Sequence, residues 1–169
     1  MKKLFALPLV LLIFISSCKK SSDSGAGTIN ATVDGTATSF SNTATAVESS
    51  ATNNGVTAYS LLIVGFQGSP SSSSSITLTI GSDAPFGADS TYTGLASPSD
   101  NLAEVAYIQQ PGNVSYSDLL AGPTTVTIKS ISSTNVQGTF SSTVGIFGSG
   151  TPSTHTFTNG TFNLNLTHQ

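Results

Sequence analysis

From Thr28 onward the chain alternates apolar and polar residues with a period of two, interrupted by turn signals. Ile29, Ala31 and Val33 stand against Thr28, Asn30 and Thr32, the pattern of a strand with one face in a core. Asp34-Gly35 follows, a dipeptide suited to the positive φ angles of a two-residue hairpin turn. Thr36 to Phe40 returns as the partner strand, and Thr43 to Glu48 reads as a further Ala/Thr-rich strand before the turn at Asn53-Asn54-Gly55. Val56 to Phe66 is apolar on both alternations from Leu61 onward, which predicts a central strand covered on both faces. After the polar loop Gln67 to Ser75, the segment Ile76-Thr77-Leu78-Thr79-Ile80 has one aliphatic and one threonine face. It is the expected hairpin partner of the strand before it.

The second half continues in the same way. Thr91 to Leu95 forms a short strand around Tyr92; Leu102 to Gln109 puts Val105 and Tyr107 on one face and Ile108 on the other. A stretch around Tyr116 precedes a strong strand from Thr124 to Ile131, and Val136, Gly138, Phe140, Ser142, Val144 and Ile146 mark a long partner, broken by Gly145, Gly148, Gly150 and Pro152. Thr154 to Thr158 and Thr161 to Thr167 flank Asn159-Gly160, which reads as another two-residue hairpin turn. Phe162, Leu164 and Leu166 then face inward, Asn163 and Asn165 outward. The triplet Gly138-Thr139-Phe140 echoes in Gly160-Thr161-Phe162, too little to define a repeat. About nine to eleven short strands with no helical pattern predict an all-β fold, an antiparallel β-sandwich or barrel-like closure.

The first residues follow a different logic. Lys2 and Lys3 precede an apolar run from Leu4 to Ile15, then Ser16, Ser17 and Cys18. A charged start, a short apolar segment and small residues before a cleavage point make a signal peptide, and the run is shorter than the roughly 20 residues of a spanning helix. Ile15-Ser16-Ser17-Cys18 has the form of a lipobox, in which the cysteine thiol is lipidated and becomes the mature N-terminus. Cys18 is the sole cysteine of the chain. Residues 1–17 are therefore expected to be a lipoprotein signal peptide, 18–27 a flexible tether, and 28–169 a single β-domain, a size that needs no disulfide.

Composition then narrows the chemistry. Charged residues make up 8% of the chain, and beyond Lys20 the one cation is Lys129. Such a domain cannot neutralise phosphates, which excludes nucleic acid as a partner. The spacing Gly-x-Ser-x-Gly of a hydrolase elbow is absent, and the two histidines, His155 and His168, fall in a threonine-rich, exposed strand and at the penultimate position. Zinc would need clustered Cys and His. Asp83 and Asp89 share one loop, and Asp100 and Glu104 flank another; they read as solvated acids rather than calcium ligands, so neither a metal nor a cofactor is called for. Asp89-Ser90-Thr91 has the form of a short O-glycan acceptor motif. A glycan-binding module remains an alternative, its stacking platform drawn from Tyr92, Tyr116 and Phe86. A hydrolase centred on His155 is a weaker one.

Taken together, Val33-Asp34-Gly35, Ile76 to Ile80, Thr91-Tyr92-Thr93, Thr125 to Ile128, Val136 to Ser141 and Thr158 to Asn163 resemble, in this order, a family of small β-rich lipoproteins of Bacteroidota-type bacteria, a domain of unknown function. Ser90 stands where members often carry glycine. The resemblance implies an envelope-anchored β-domain and supplies no catalytic residues. Related lipoproteins bound for the cell surface carry an acidic run after the cysteine, whereas Lys19-Lys20-Ser21-Ser22-Asp23 follows here. The expectation is a non-enzymatic protein held by lipidated Cys18 at a bacterial membrane, the outer membrane by preference and facing the periplasm. An envelope glycan or protein would be its partner.

Overall fold

The computed structural model describes residues 27–94, 101–146 and 153–169, so the expected signal peptide, Cys18 and the expected tether as far as residue 26 lie outside the described residues. Eleven strands follow one another: β1 (Thr28–Val33), β2 (Thr36–Ser39), β3 (Asn42–Asn53), β4 (Val56–Phe66), β5 (Ser75–Ser82), β6 (Ser90–Thr93), β7 (Asn101–Gln109), β8 (Val114–Ser117), β9 (Thr125–Ile131), β10 (Asn135–Ile146) and β11 (Thr154–His168). A 3-10 turn, Asp118–Leu120, separates β8 from β9. The all-β expectation holds. Asp34 and Gly35 (φ 48° and 83°) and Asn54 and Gly55 (φ 50° and 81°) make the two-residue turns that the sequence signals; both positions need positive φ, which Asp, Asn and Gly adopt at least cost.

All eleven strands belong to one sheet, and the sheet closes on itself. β11 makes this possible. Along one edge it pairs with β10, from Asn135↔Asn165 to Gly145↔Thr154; along the other it pairs first with β1 and then, at Leu166 to His168, with β3. From β3 the circuit runs through β4, β5 and β7, and then back to β10 both through β6 and β9 and through β8. β11–β3 and β6–β7 are parallel, so the sheet is mixed rather than purely antiparallel. The β1–β2 hairpin lies outside this circuit and sends Ile29, Ala31 and Phe40 into the core. Inward-facing residues on the barrel walls, Ile63, Leu78, Val105, Val126, Val136 and Leu164 among them, are fully buried. The lumen is a packed core.

Two sequence expectations change. Asn159-Gly160 is no hairpin turn: β11 runs straight through it. Asn159 takes φ 51° as the extra residue of a bulge, since Phe157 and Gly160 pair with Ser142 and Phe140, leaving two β11 residues opposite Ser141. β1 shifts register at the same place. An Asn in the left-handed region serves a bulge as readily as a turn, and with a neighbour on each edge the strand continues. The second change concerns β4. Its inward face is buried at Leu61 and Ile63, but Leu62 on the outward face is 40% exposed, and no second layer of described strands covers it.

The Gly-Thr-Phe echo acquires a physical meaning here. In the β10–β11 ladder Gly138 pairs with Phe162, Thr139 with Thr161, and Phe140 with Gly160, so each phenylalanine lies over the other strand's glycine. A Cβ on Gly160 would come within 2.5 Å of the Phe140 carbonyl oxygen and 2.6 Å of its ring; one on Gly138 would run into the Phe162 ring and the Thr127 carbonyl. Each ring covers the backbone that the glycine leaves bare, the pairing by which aromatic residues rescue glycines in sheets. Gly138→Ala and Gly160→Ala should each destabilise the fold by about 1–3 kcal/mol through overpacking. Urea unfolding midpoints will show this against Thr139→Ala, which is exposed and expected to shift stability by about 0.5 kcal/mol or less.

Candidate functional site

Two groups of reactive side chains assemble in the described barrel, and of their members the sequence singles out only His155. The first joins the turn after β1 to the start of β11. Because Val33 pairs with Phe157, Asp34 comes to rest beside His155 and Thr156. The Nδ1–H of His155 donates to Asp34 Oδ2 at 2.6 Å and the Thr156 N–H donates to Oδ1 at 2.8 Å, while the Asp34 N–H donates to the Thr156 carbonyl at 3.0 Å. The His155 ring packs edge-on against Tyr116 and Tyr107, with centroids 4.5 and 5.3 Å away. It is thus a largely buried, paired histidine rather than an exposed one. Partial burial pushes the Asp34 carboxyl up, but the hydrogen bonds from His155 and Thr156 and the His155 charge outweigh it and hold the group below its ordinary value.

A histidine oriented by a carboxylate is two-thirds of a nucleophilic triad, so the remaining ring nitrogen decides what the pair can do. Nε2 is buried and has no hydrogen-bond partner among the described residues. No serine or threonine hydroxyl of the described residues reaches it. The constellation acts as a clamp, fastening the β1–β2 turn to β11 across 121 residues of chain.

The second group lies where the 3-10 turn meets β10. Asp118, Thr124 and Ser142 are all buried; the Thr124 hydroxyl donates to Asp118 Oδ2, and the Ser142 and Thr124 hydroxyl oxygens stand 2.7 Å apart. Asp118 Oδ1 has no partner among the described residues. Ser117 caps the turn by accepting the Leu119 N–H. This buried relay, to which Asp118 belongs, ties the turn to β10.

The remaining residues singled out above fall as follows. Tyr92, Tyr116 and Phe86 are 4%, 5% and 8% exposed, with Phe86 edge-on to Tyr92 at 5.6 Å and Tyr116 tilted against Tyr107 at 5.9 Å. Sugar stacking needs an open ring face, and these three spend theirs on the core. Asp89 faces Lys129 at 3.9 Å; Asp83 lines an open groove of about 340 Å³ together with Ser82, Tyr92 and Asn101; Asp100 lies outside the described residues. No group of three or more His, Cys, Asp or Glu able to hold a metal occurs among the described residues. His168 is held in β11, its Nε2 3.0 Å from the Ser133 carbonyl and its Nδ1 3.3 Å from Glu48. Ser90 opens β6 half-buried, and the Thr91 hydroxyl meets that of Thr127 at 3.0 Å. Comparison with protein-family models, curated proteins and solved structures returns no match to this chain.

Two outcomes test these assignments. The Asp34 carboxyl titrates below the unfolded value near 3.9, so the stability it confers is present above about pH 4 and lost as pH falls through the folded value. Between about pH 6 and about pH 3 the urea midpoint of the native protein should therefore fall further than that of Asp34→Asn, modestly so because Asp34 is half-exposed. Thr124→Val leaves Asp118 Oδ2 and Ser142 without their shared partner in a buried site, and calorimetry should show a loss of about 2–3 kcal/mol.

Proposed function

We propose that this chain is a lipid-anchored lipoprotein of the bacterial cell envelope, whose β-domain has a binding or structural role rather than a catalytic one. The observation that carries the reading is the lipobox Ile15-Ser16-Ser17-Cys18 at the end of a short apolar run behind Lys2 and Lys3, with Cys18 the sole cysteine. Signal peptidase cleavage before Cys18 and acylation of its thiol and amine would place several acyl chains at the mature terminus. Each buried methylene contributes about 0.8 kcal/mol, so two or more chains anchor a protein stably where one does not. The resemblance to small β-rich lipoproteins points the same way, and Lys19-Lys20 in place of an acidic run favours the periplasmic side of the outer membrane.

The site geometry is consistent with a non-catalytic role. His155 is oriented by Asp34 but faces no hydroxyl among the described residues, and the aromatic rings proposed as a sugar platform lie in the core. An envelope glycan or protein is the class of partner this reading implies, reached while the domain stays on its membrane. It calls for no cofactor. Metabolic labelling with a clickable fatty acid tests the anchor: the native protein should incorporate label and sediment with membranes, and Cys18→Ala should do neither. Equal labelling of both proteins would sink the proposal.

A further inference from the structure

Three dipeptides of the chain place a glycine directly behind an Asp or Asn held in the left-handed region: Asp34-Gly35, Asn54-Gly55 and Asn159-Gly160, with φ of 48°, 50° and 51° at the first residue. At such a pair the backbone nitrogen of the glycine can attack the side-chain carbonyl carbon of the residue before it and close a five-membered succinimide, because glycine has no side chain to shield that nitrogen. The reaction is intramolecular, so its rate depends on how freely the two groups reach the geometry of attack. The three sites differ in that freedom.

Asp34 is fastened by its side chain. Its two carboxylate oxygens accept hydrogen bonds from His155 and from the Thr156 N–H, and an ionised carboxylate resists attack by a nucleophile. Asn159 is fastened by its backbone: it lies within β11, which runs between β1 and β10, and Gly160 is buried opposite Phe140. A Cβ at Gly160 would come within 2.5 Å of the Phe140 carbonyl oxygen, so the backbone rotation that ring closure requires is blocked by β10. Asn54-Gly55 has neither restraint. Both residues are exposed, the β3–β4 ladder ends at the pair Asn53↔Val56 that flanks them, and nothing lies within 4 Å of the Cβ position of Gly55. The hairpin tip also stands clear of its neighbours, since among the described residues β11 accompanies β3 from Ala46 to Glu48 and β5 meets β4 first at Tyr59. Exposed loop tips of this kind are where chemical change is best tolerated.

We propose that Asn54 is a site of spontaneous covalent modification, at which the β3–β4 tip converts from asparagine to a mixture of aspartate and isoaspartate. The Gly55 nitrogen gives up its proton to base and bonds to the Asn54 Cγ; the bond from Cγ to the amide nitrogen breaks, and that nitrogen takes up a proton and leaves as ammonia. Water then opens the succinimide at one carbonyl or the other. One amide and one water become one carboxylic acid and one ammonia, with no change of oxidation state. The product places a carboxylate in a tip, Ser49 to Ala58, that carries no charge, on a chain whose formal net charge is already −3. Opening toward isoaspartate also lengthens the backbone of a turn of only two residues, and so strains the pair beside it, where the Thr52 and Thr57 hydroxyls meet at 2.8 Å. The full protein, native and in concentrated urea, is incubated in mildly alkaline buffer and mapped by peptide mass spectrometry, with electron-transfer fragmentation to separate aspartyl from isoaspartyl residues. In the native protein Asn54 should convert at least about tenfold faster than Asn159, with isoaspartate in excess over aspartate, and Asp34 should stay aspartyl. In urea, where the fold no longer distinguishes them, the two asparagines should convert at similar rates. A native protein in which Asn54 stays intact, or in which Asn54 and Asn159 convert equally fast, overturns the proposal.

Discussion

Each strand residue other than proline brings a backbone N–H and a C=O that need partners, and an open sheet of eleven strands would end in two rows of unpaired groups. Proteins commonly shield such rows with lysines or other charges. With charged residues at 8%, that protection is scarce here. β11 supplies another: by pairing with β10 on one side and with β1 and β3 in tandem on the other, it turns the sheet into a ring. The edge left over is β2, only four residues long and paired with β1 alone among the described strands. Closure in turn creates an inside and an outside, and the two-residue period then decides which side chains make the core.

Much of this was legible because the period-two pattern is local. Strands such as Ile76 to Ile80 and the turns at Asp34-Gly35 and Asn54-Gly55 follow from a handful of neighbouring residues, and the structure agrees with them. The local hairpins β1–β2 and β4–β5 were legible too; what could not be read is which strands pair over long range. Asn159-Gly160 has the content of a turn and becomes a bulge because partners on both edges hold β11 extended. His155 reads as exposed because nothing near it in sequence points to Asp34, 121 residues away. Tyr92, Tyr116 and Phe86 read as surface candidates for a related reason: a ring in a short strand or loop gives no local sign of the core it joins.

The Gly-Thr-Phe echo carried a signal of another kind. Two identical triplets can pair antiparallel so that glycine meets phenylalanine at both ends, and this is the arrangement found. The exchange lets β10 and β11 come together with bulky rings where the barrel needs volume and bare backbone where the rings must lie. The double-sided apolarity of β4 was similarly informative once its second face proved to be open. The run Leu61 to Phe66 encodes two surfaces, one for the core and one for the exterior.

The placement of the closing strand has a consequence for how the molecule comes into being. Synthesis delivers β11 after every other described strand, and Thr167 must find Ala46, 121 residues earlier. The β3–β4 and β4–β5 hairpins can form while the rest is being made, but β3 and β10 keep an unsatisfied side until those last fifteen residues arrive. Long-range pairing of this kind slows assembly and prolongs the life of sticky intermediates. A nascent copy lacking its final segment is an incomplete cylinder, and the quality of the finished protein depends on keeping neighbouring copies apart until the seam is sealed.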